Sequence, residues 1–144
     1  MGILEDAEVA GLLPVLGGSE SIPRCNEGYY IQPTIFSNLS RDQFIANQEV
    51  FGPVLAVMPY KNLKEAIDIA NGTQYGLSAY IYAKDNATAE PIAQQMRCGM
   101  VHINGAPLAA EAPFGGYKQS GNGREWGLYG LHEFLEVKAV MKTS

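Results

Sequence analysis

Charge is scarce in this chain of 144 residues. Asp, Glu, Lys and Arg make up 17 % of it, and 10 cations stand against 15 carboxylates, for a net charge of -5. Binding to nucleic acid or to an anionic membrane surface needs a basic face, and no basic run is present, so neither partner is expected. Long apolar runs are missing too. None approaches the roughly 18 to 20 residues of a membrane span. The opening Met-Gly-Ile-Leu-Glu-Asp has neither the positive start nor the apolar stretch of a secretory signal. Cysteine is limited to Cys25 and Cys98, in unrelated contexts, which predicts a cytoplasmic protein with free thiols. His102 and His132 have no second ligand at metal spacing, so no metal site is expected.

The chain does have enough apolar material, 47 %, for a real core in one domain's worth of length. Its shortage of charge fits a piece whose surface is partly meant to be covered.

Taken in order, residues 1–11 are acidic and small and read as the tail of a helix. Leu12 to Leu16 reads as a short buried strand at an edge position set by Pro14. Ser19 to Gly28 is a polar loop. Gly28 to Phe36 favours a strand interrupted by Pro33. Ser40 to Asn47 suits a short helix capped by Ser40. Val50 to Tyr60, nearly continuous in apolar residues, reads as a strand buried on both faces.

Asn62 with Glu65 makes an Asn version of the capping box. Leu63, Ala66, Ile67 and Ala70 then follow at helical spacing, with Gly72 as the stop. Ser78 to Ala83 is a strand. The next helix is expected to begin near Thr88, so that Pro91 falls in its first turn, and to end at Gly99. Met100 to Ile103 is another strand. This alternation argues for βαβ units on a parallel sheet. A helix from about Arg124 to Phe134 and a β-rich tail, Leu135 to Met141, complete the chain.

The segment Pro113 to Glu125 stands apart, with Gly115, Gly116, Gly121 and Gly123 interleaved with Phe114, Tyr117, Lys118, Arg124 and Glu125. Flexible linkers are Gly/Ser with little else. This composition instead implies a backbone forced through positive φ or close approach while its side chains still pack. A second segment, Asn47 to Val54, reads Asn-Gln-Glu-Val-Phe-Gly-Pro-Val, and Tyr75-Gly76-Leu77 lies between the two.

These three segments, in this order and at these intervals, resemble the aldehyde dehydrogenase superfamily. The resemblance runs from about Leu12 to Met141 and corresponds to the last third or less of the family's usual length. It implies an α/β fold with a largely parallel sheet and flanking helices. Residues 1–134 would be the C-terminal part of the catalytic domain, and 135–144 an oligomerisation strand and tail.

By the same resemblance Glu49 matches the glutamate that binds the nicotinamide-ribose hydroxyls, Phe51 the aromatic beside that ribose, and Leu77 a residue near the nicotinamide. Phe114 matches the aromatic that lines the aldehyde-entry tunnel. The loop Gly105 to Ala112, with Ala106, Pro107, Leu108, Ala109 and Ala110, would face the substrate and suit an apolar or aromatic aldehyde. Arg124 and Glu125 look structural. The cofactor would be NAD or NADP.

The family's reaction uses a cysteine thiolate that attacks the aldehyde, hydride transfer to the nicotinamide, and a glutamate-activated water. The residues for this normally lie upstream of the segments seen here. Neither Cys25, in Pro-Arg-Cys-Asn, nor Cys98, in Arg-Cys-Gly-Met, has the nucleophile's context, so no catalytic residue is assigned. The chain is thus expected to be the C-terminal portion of an NAD(P)-dependent aldehyde dehydrogenase, inactive alone, homo-oligomeric, and dependent on the missing N-terminal portion and an aldehyde substrate. The alternative is a non-catalytic, self-associating binding or scaffold module on the same fold. A small thiol enzyme or hydrolase built on Cys25 or Cys98 lacks a histidine and orienting group to activate either.

Overall fold

The computed structural model describes residues 2–25 and 27–143. Two compact units divide the chain, Met1–Gly72 and Thr73–Ser144. Both are α/β, and every ladder between their strands is parallel.

In the first unit, helix α1 (Gly2–Val9) buries Leu4 and Ala7, which at i, i+3 share one face. They join Phe36, Leu39 and Ile45 in the core, with Ile31, Val50, Val54 and Met58 packed around it. Strand β1 (Thr34–Phe36) pairs with β2 (Val54–Ala56). Pro33 has no N–H to give, so β1 starts just after it, and Tyr29 and Tyr30 stand in solvent outside any strand.

The expected buried strand at Leu12 to Leu16 reduces to a single antiparallel bridge between Leu16 and Ile35. Ile35 bonds Val15 and Leu16, whereas Thr34 and Phe36 bond the chain around β2, so the bridge lies on the opposite edge of β1. Leu13, Val15 and Leu16 are exposed there rather than buried. Behind the bridge, the Thr34 hydroxyl accepts from Gly18 N–H at 3.1 Å and donates to Gln32 O at 2.8 Å, which satisfies a buried polar side chain.

Between the two strands a 3-10 turn, Phe44–Ala46, replaces the expected helix from Ser40. The Ser40 hydroxyl bonds Asp42 two residues on and caps nothing. Strand β2 is shorter than the apolar run Val50 to Tyr60. It has one buried side only: Val54 and Ala56 turn to the core, and Leu55 is 56 % exposed. A run of apolar residues does not by itself supply a second covering layer.

Helix α2 (Leu63–Asn71) follows the sequence closely. Asn62 Oδ1 accepts from Glu65 N–H at 3.0 Å, as a capping residue does. The Glu65 carboxylate reaches past the cap to Lys61 N–H at 2.6 Å. Gly72 closes the helix at φ -76°, by a bond from its N–H to Ile69 O, so the stop uses no left-handed residue.

The second unit is a βαβ unit followed by the glycine-rich run. Strand β3 (Ser78–Ile81) pairs in parallel with β4 (Met100–Ile103), and α3 (Asn86–Ala93) crosses between them. The helix starts at Asn86, not near Thr88, because Asp85 caps it. Asp85 Oδ1 accepts from the Thr88 N–H at 2.8 Å and the Thr88 hydroxyl at 2.7 Å, and these bonds hold its carboxyl below the usual value. Pro91 therefore falls in the second turn, where it withholds an N–H from the Ala87 carbonyl. The helix ends two residues later at Ala93, and turns carry the chain to Gly99.

Helix α4 (Gly127–His132) is likewise shorter than the expected Arg124 to Phe134. Residues 135–143 form no strand within this chain, and Val137, Val140 and Met141 are exposed.

Candidate functional site

The glycine-rich run is a closed loop whose neck is a two-bond antiparallel bridge. Phe114 and Glu125 exchange backbone N–H and carbonyl at 2.7 Å in both directions. Inside the loop, Arg124 Nη1 donates to the carbonyls of Gly116 at 2.9 Å and Gly123 at 2.8 Å, and its guanidinium lies 5.4 Å from the Tyr117 ring centroid. Arg124 thus braces backbone, as its place in the sequence suggested.

Close approach explains two of the glycines: a Cβ at Gly115 would come within 2.4 Å of Gly123 O, and one at Gly116 within 2.5 Å of Ser120 Cβ and 2.7 Å of Ser120 O. Gly121, at φ 104°, instead needs the left-handed backbone.

The loop is docked on the segment holding Tyr75-Gly76-Leu77. Tyr117 N–H donates to Gly76 O at 2.8 Å, and Gly76 N–H donates to the Ser120 hydroxyl at 3.0 Å. Lys118 Nζ donates to Thr73 O at 3.0 Å, and Gln119 pairs with Gln74 through both backbone and side chain. Two of the three sequence segments therefore meet in space. Residues more than 40 positions apart are held by polar bonds, in which the motif's Lys118 and Ser120 do the binding.

Between β4 and this loop lies a cleft of about 260 Å³. Its walls include His102, Ala106, Leu108, Ala109, Phe114 and Trp126. Both candidate substrate residues, Leu108 and Phe114, are thus brought to one cavity. The Phe114 ring packs against Trp126 at a centroid distance of 5.1 Å, tilted by 44°.

His102 is buried, stacked on Tyr80 across the strand pair at 4.6 Å, and its Nδ1 lies 2.8 Å from Ala106 O. A carbonyl only accepts, so Nδ1 carries the hydrogen, and the ring ties the 104–112 loop to β4. Neither Trp126 nor this role of His102 was apparent from the motifs. The available signal was that the chain's single tryptophan directly follows the glycine-rich run.

The candidate cofactor residues do not share one unit. Glu49 and Phe51 belong to the first, and Leu77 to the second. Glu49 is exposed, and Phe51 is 95 % exposed at the turn before β2, where Gly52 N–H bonds Val50 O. A core role for Phe51 is therefore ruled out in this chain. An exposed carboxylate next to an exposed flat ring suits a sugar with paired hydroxyls. Leu77 is 40 % exposed, and its carbonyl accepts from Met100 N–H.

Cys25 is exposed. Burial raises Cys98 above its ordinary value, outweighing the pull of the Met100 backbone bond and the Lys118 charge, and a raised thiol is a poor nucleophile. Among the described residues no group of three or more His, Cys, Asp or Glu is placed to hold a metal, and no helix is long and apolar enough to cross a membrane.

A parallel α/β scaffold in which a glycine-rich run is locked onto a Tyr-Gly-Leu segment beside an apolar cleft is the class of structure these residues build. Residues 1–140 match the model of the aldehyde dehydrogenase family, and the chain belongs to that family. It is 51 % identical over 140 residues to 3-succinoylsemialdehyde-pyridine dehydrogenase of a Pseudomonas species, an alignment covering 97 % of this chain and 28 % of that protein.

Among solved structures, aldehyde dehydrogenase C from Pseudomonas syringae, complexed with NAD+ and octanal, superposes with a TM-score of 0.92 at 41 % identity. That match covers 96 % of this chain and 29 % of the other. The NAD+ complex of a Mycobacterium tuberculosis aldehyde dehydrogenase gives 0.85 at 39 %, covering 92 % and 27 %. The chain spans about 28 % of the length of the curated relatives it matches.

Proposed function

We propose that this chain is the C-terminal portion of a cytoplasmic aldehyde dehydrogenase, supplying part of the cofactor and substrate contacts but not the nucleophile. The observation that carries the reading is the cleft that gathers Leu108 and Phe114 beside a loop docked on the Leu77 segment. When bound, a nicotinamide cofactor would take up hydride from the aldehyde carbon.

This chain's own residues bind and orient. The Glu49 carboxylate accepts from paired ribose hydroxyls, Phe51 offers a flat apolar face to the sugar, and Leu77 packs near the nicotinamide. Phe114 and Leu108 hold the aldehyde's apolar end. The thiolate and the water-activating carboxylate come from the remainder of the enzyme. NAD is the favoured cofactor, because two of the similar solved structures hold NAD+.

The test is aldehyde-dependent reduction of NAD and of NADP by the 144-residue chain, alone and recombined with the upstream portion of a relative such as the Pseudomonas enzyme. The chain alone is expected to be silent and the recombined protein active. In the latter, Glu49→Gln should raise the KM for NAD by roughly tenfold or more, since a hydrogen bond to a charged group contributes about 1.5–3 kcal/mol. Recombined protein that turns over with its KM for NAD unaffected by Glu49→Gln would remove Glu49 from the site. A silent recombined protein would favour the non-catalytic scaffold.

The tail, Leu135 to Met141, is proposed to pair as a strand with another chain, since Val137 and Met141 are 97 % and 84 % exposed and an uncovered apolar strand invites pairing. Sizing at rising concentration should show an oligomer that Val137→Lys disperses. A strict monomer throughout would refute the pairing.

A further inference from the structure

The backbone at Trp126 has φ 63° and ψ 163°, a region that glycine occupies freely and other residues almost never do. Nothing about starting α4 calls for a tryptophan there. Trp126 stands at the N-cap position, and its side chain makes no capping bond. The neighbours leave the backbone no easier choice. On one side Glu125 is held in its two-bond bridge to Phe114. On the other, Gly127 donates its N–H to Ala110 O at 3.2 Å and lies so close to the Glu111 carbonyl that a Cβ would overlap it. A glycine at 126 would relieve the strain, so what the tryptophan adds is its ring. That ring forms a wall of the cleft, half-buried against Phe114.

We propose that Trp126 is a specificity-determining residue, whose indole, set against Phe114, selects aldehydes that carry a flat aromatic ring over saturated ones of the same size. This rests on the aldehyde dehydrogenase reading above and names the substrate class for it. The two rings pack against each other, tilted by 44°, in the wall of the cleft, and a third planar ring can join such a cluster in offset or edge-to-face contact. A puckered saturated ring displaces the same water but cannot lie flat. At about 260 Å³, the cavity has room for a single ring with a short side arm.

Trp126 is the sole tryptophan, so its indole N–H resonance reports this cleft alone. The isotope-labelled 144-residue chain is titrated with benzyl alcohol and with cyclohexylmethanol, unreactive stand-ins that form no imine with lysine. Benzyl alcohol should shift the indole resonance saturably and bind roughly tenfold more tightly than cyclohexylmethanol, the factor that 1.4 kcal/mol represents. In the variants, which lack the indole, binding is read from the amide resonances of Leu108 and Ala109 in the cleft wall. Trp126→Gly should abolish the preference while the amide resonances of β3 and β4 stay in place, and Trp126→Phe should keep part of it.

Equal binding of the two alcohols, or an undiminished preference in Trp126→Gly, would overturn the assignment. The readout needs neither turnover nor cofactor. Failure of the recombination assay would therefore strike the enzyme reading and leave ring selection standing, and failure here would do the reverse.

Discussion

Gly99→Ala should cost about 3 kcal/mol or more, at the upper end of what overpacking does. A Cβ at Gly99 would overlap the Gly115 carbonyl oxygen and crowd Gly116 Cα at 3.1 Å, so the obstacle is backbone rather than the end of a side chain that can swing aside. That backbone has little room to retreat. Gly116 O accepts from Arg124, Tyr117 N–H bonds Gly76 O, and Gly99 N–H itself bonds the same Gly76 O at 3.0 Å. Three segments meet at one carbonyl. Relieving the overlap means pulling the glycine-rich loop off β3 and β4, which also opens the cleft that Gly99 helps to line. Domains of this size are stable by only about 5–15 kcal/mol, so a loss of that order is a large part of the total. Thermal and urea melts followed by the Trp126 fluorescence read this unit. An unchanged midpoint would mean that the loop yields freely and that its polar bonds to Gly76 carry little.

Phe36→Ala should destabilise the first unit by about 3–5 kcal/mol, the range for truncating a buried aromatic. Phe36 is 1 % exposed and is the largest side chain in a core of five buried residues among those described. Leu4 and Ala7 of α1, and Leu39 and Ile45 beyond β1, all belong to that cluster, so the cavity would sit where helix and sheet meet. With so few buried residues, no remaining neighbour is large enough to refill it. Phe36→Leu should recover most of the loss. Urea melts read by amide resonances of residues 34–56 would check this, and a Phe36→Ala penalty under about 1 kcal/mol would contradict the core as described.

Local rules were legible where one or two neighbouring residues settle the matter. Asn62 with Glu65 predicts a cap, and α2 starts there. The same logic applied to Asp85 would have placed the start of α3 correctly. The expectation gave Pro91 more weight than a carboxylate three residues before Thr88, and the carboxylate prevailed because its two bonds fix the first turn before proline is reached. Burial was less legible. The apolar runs at Leu12 to Leu16 and around Leu55 have the composition of covered strands, yet they stand in solvent here, because coverage depends on which other segment arrives above them.

By itself the sequence determined the class of fold, the alternation of strand and helix from β2 to β4, the family, and which residues to suspect in a site. Each follows from residue type and spacing along the chain, and spacing is a local quantity. Only the tertiary structure decided that Pro113 to Glu125 closes on itself and docks on the Tyr75 segment. It likewise decided that Leu108 and Phe114 share a cavity, and that Trp126 is forced through a glycine-like backbone to form its wall. Those facts are set by contacts between residues far apart in sequence, where one carbonyl's position decides whether a side chain fits, and no local pattern encodes that distance.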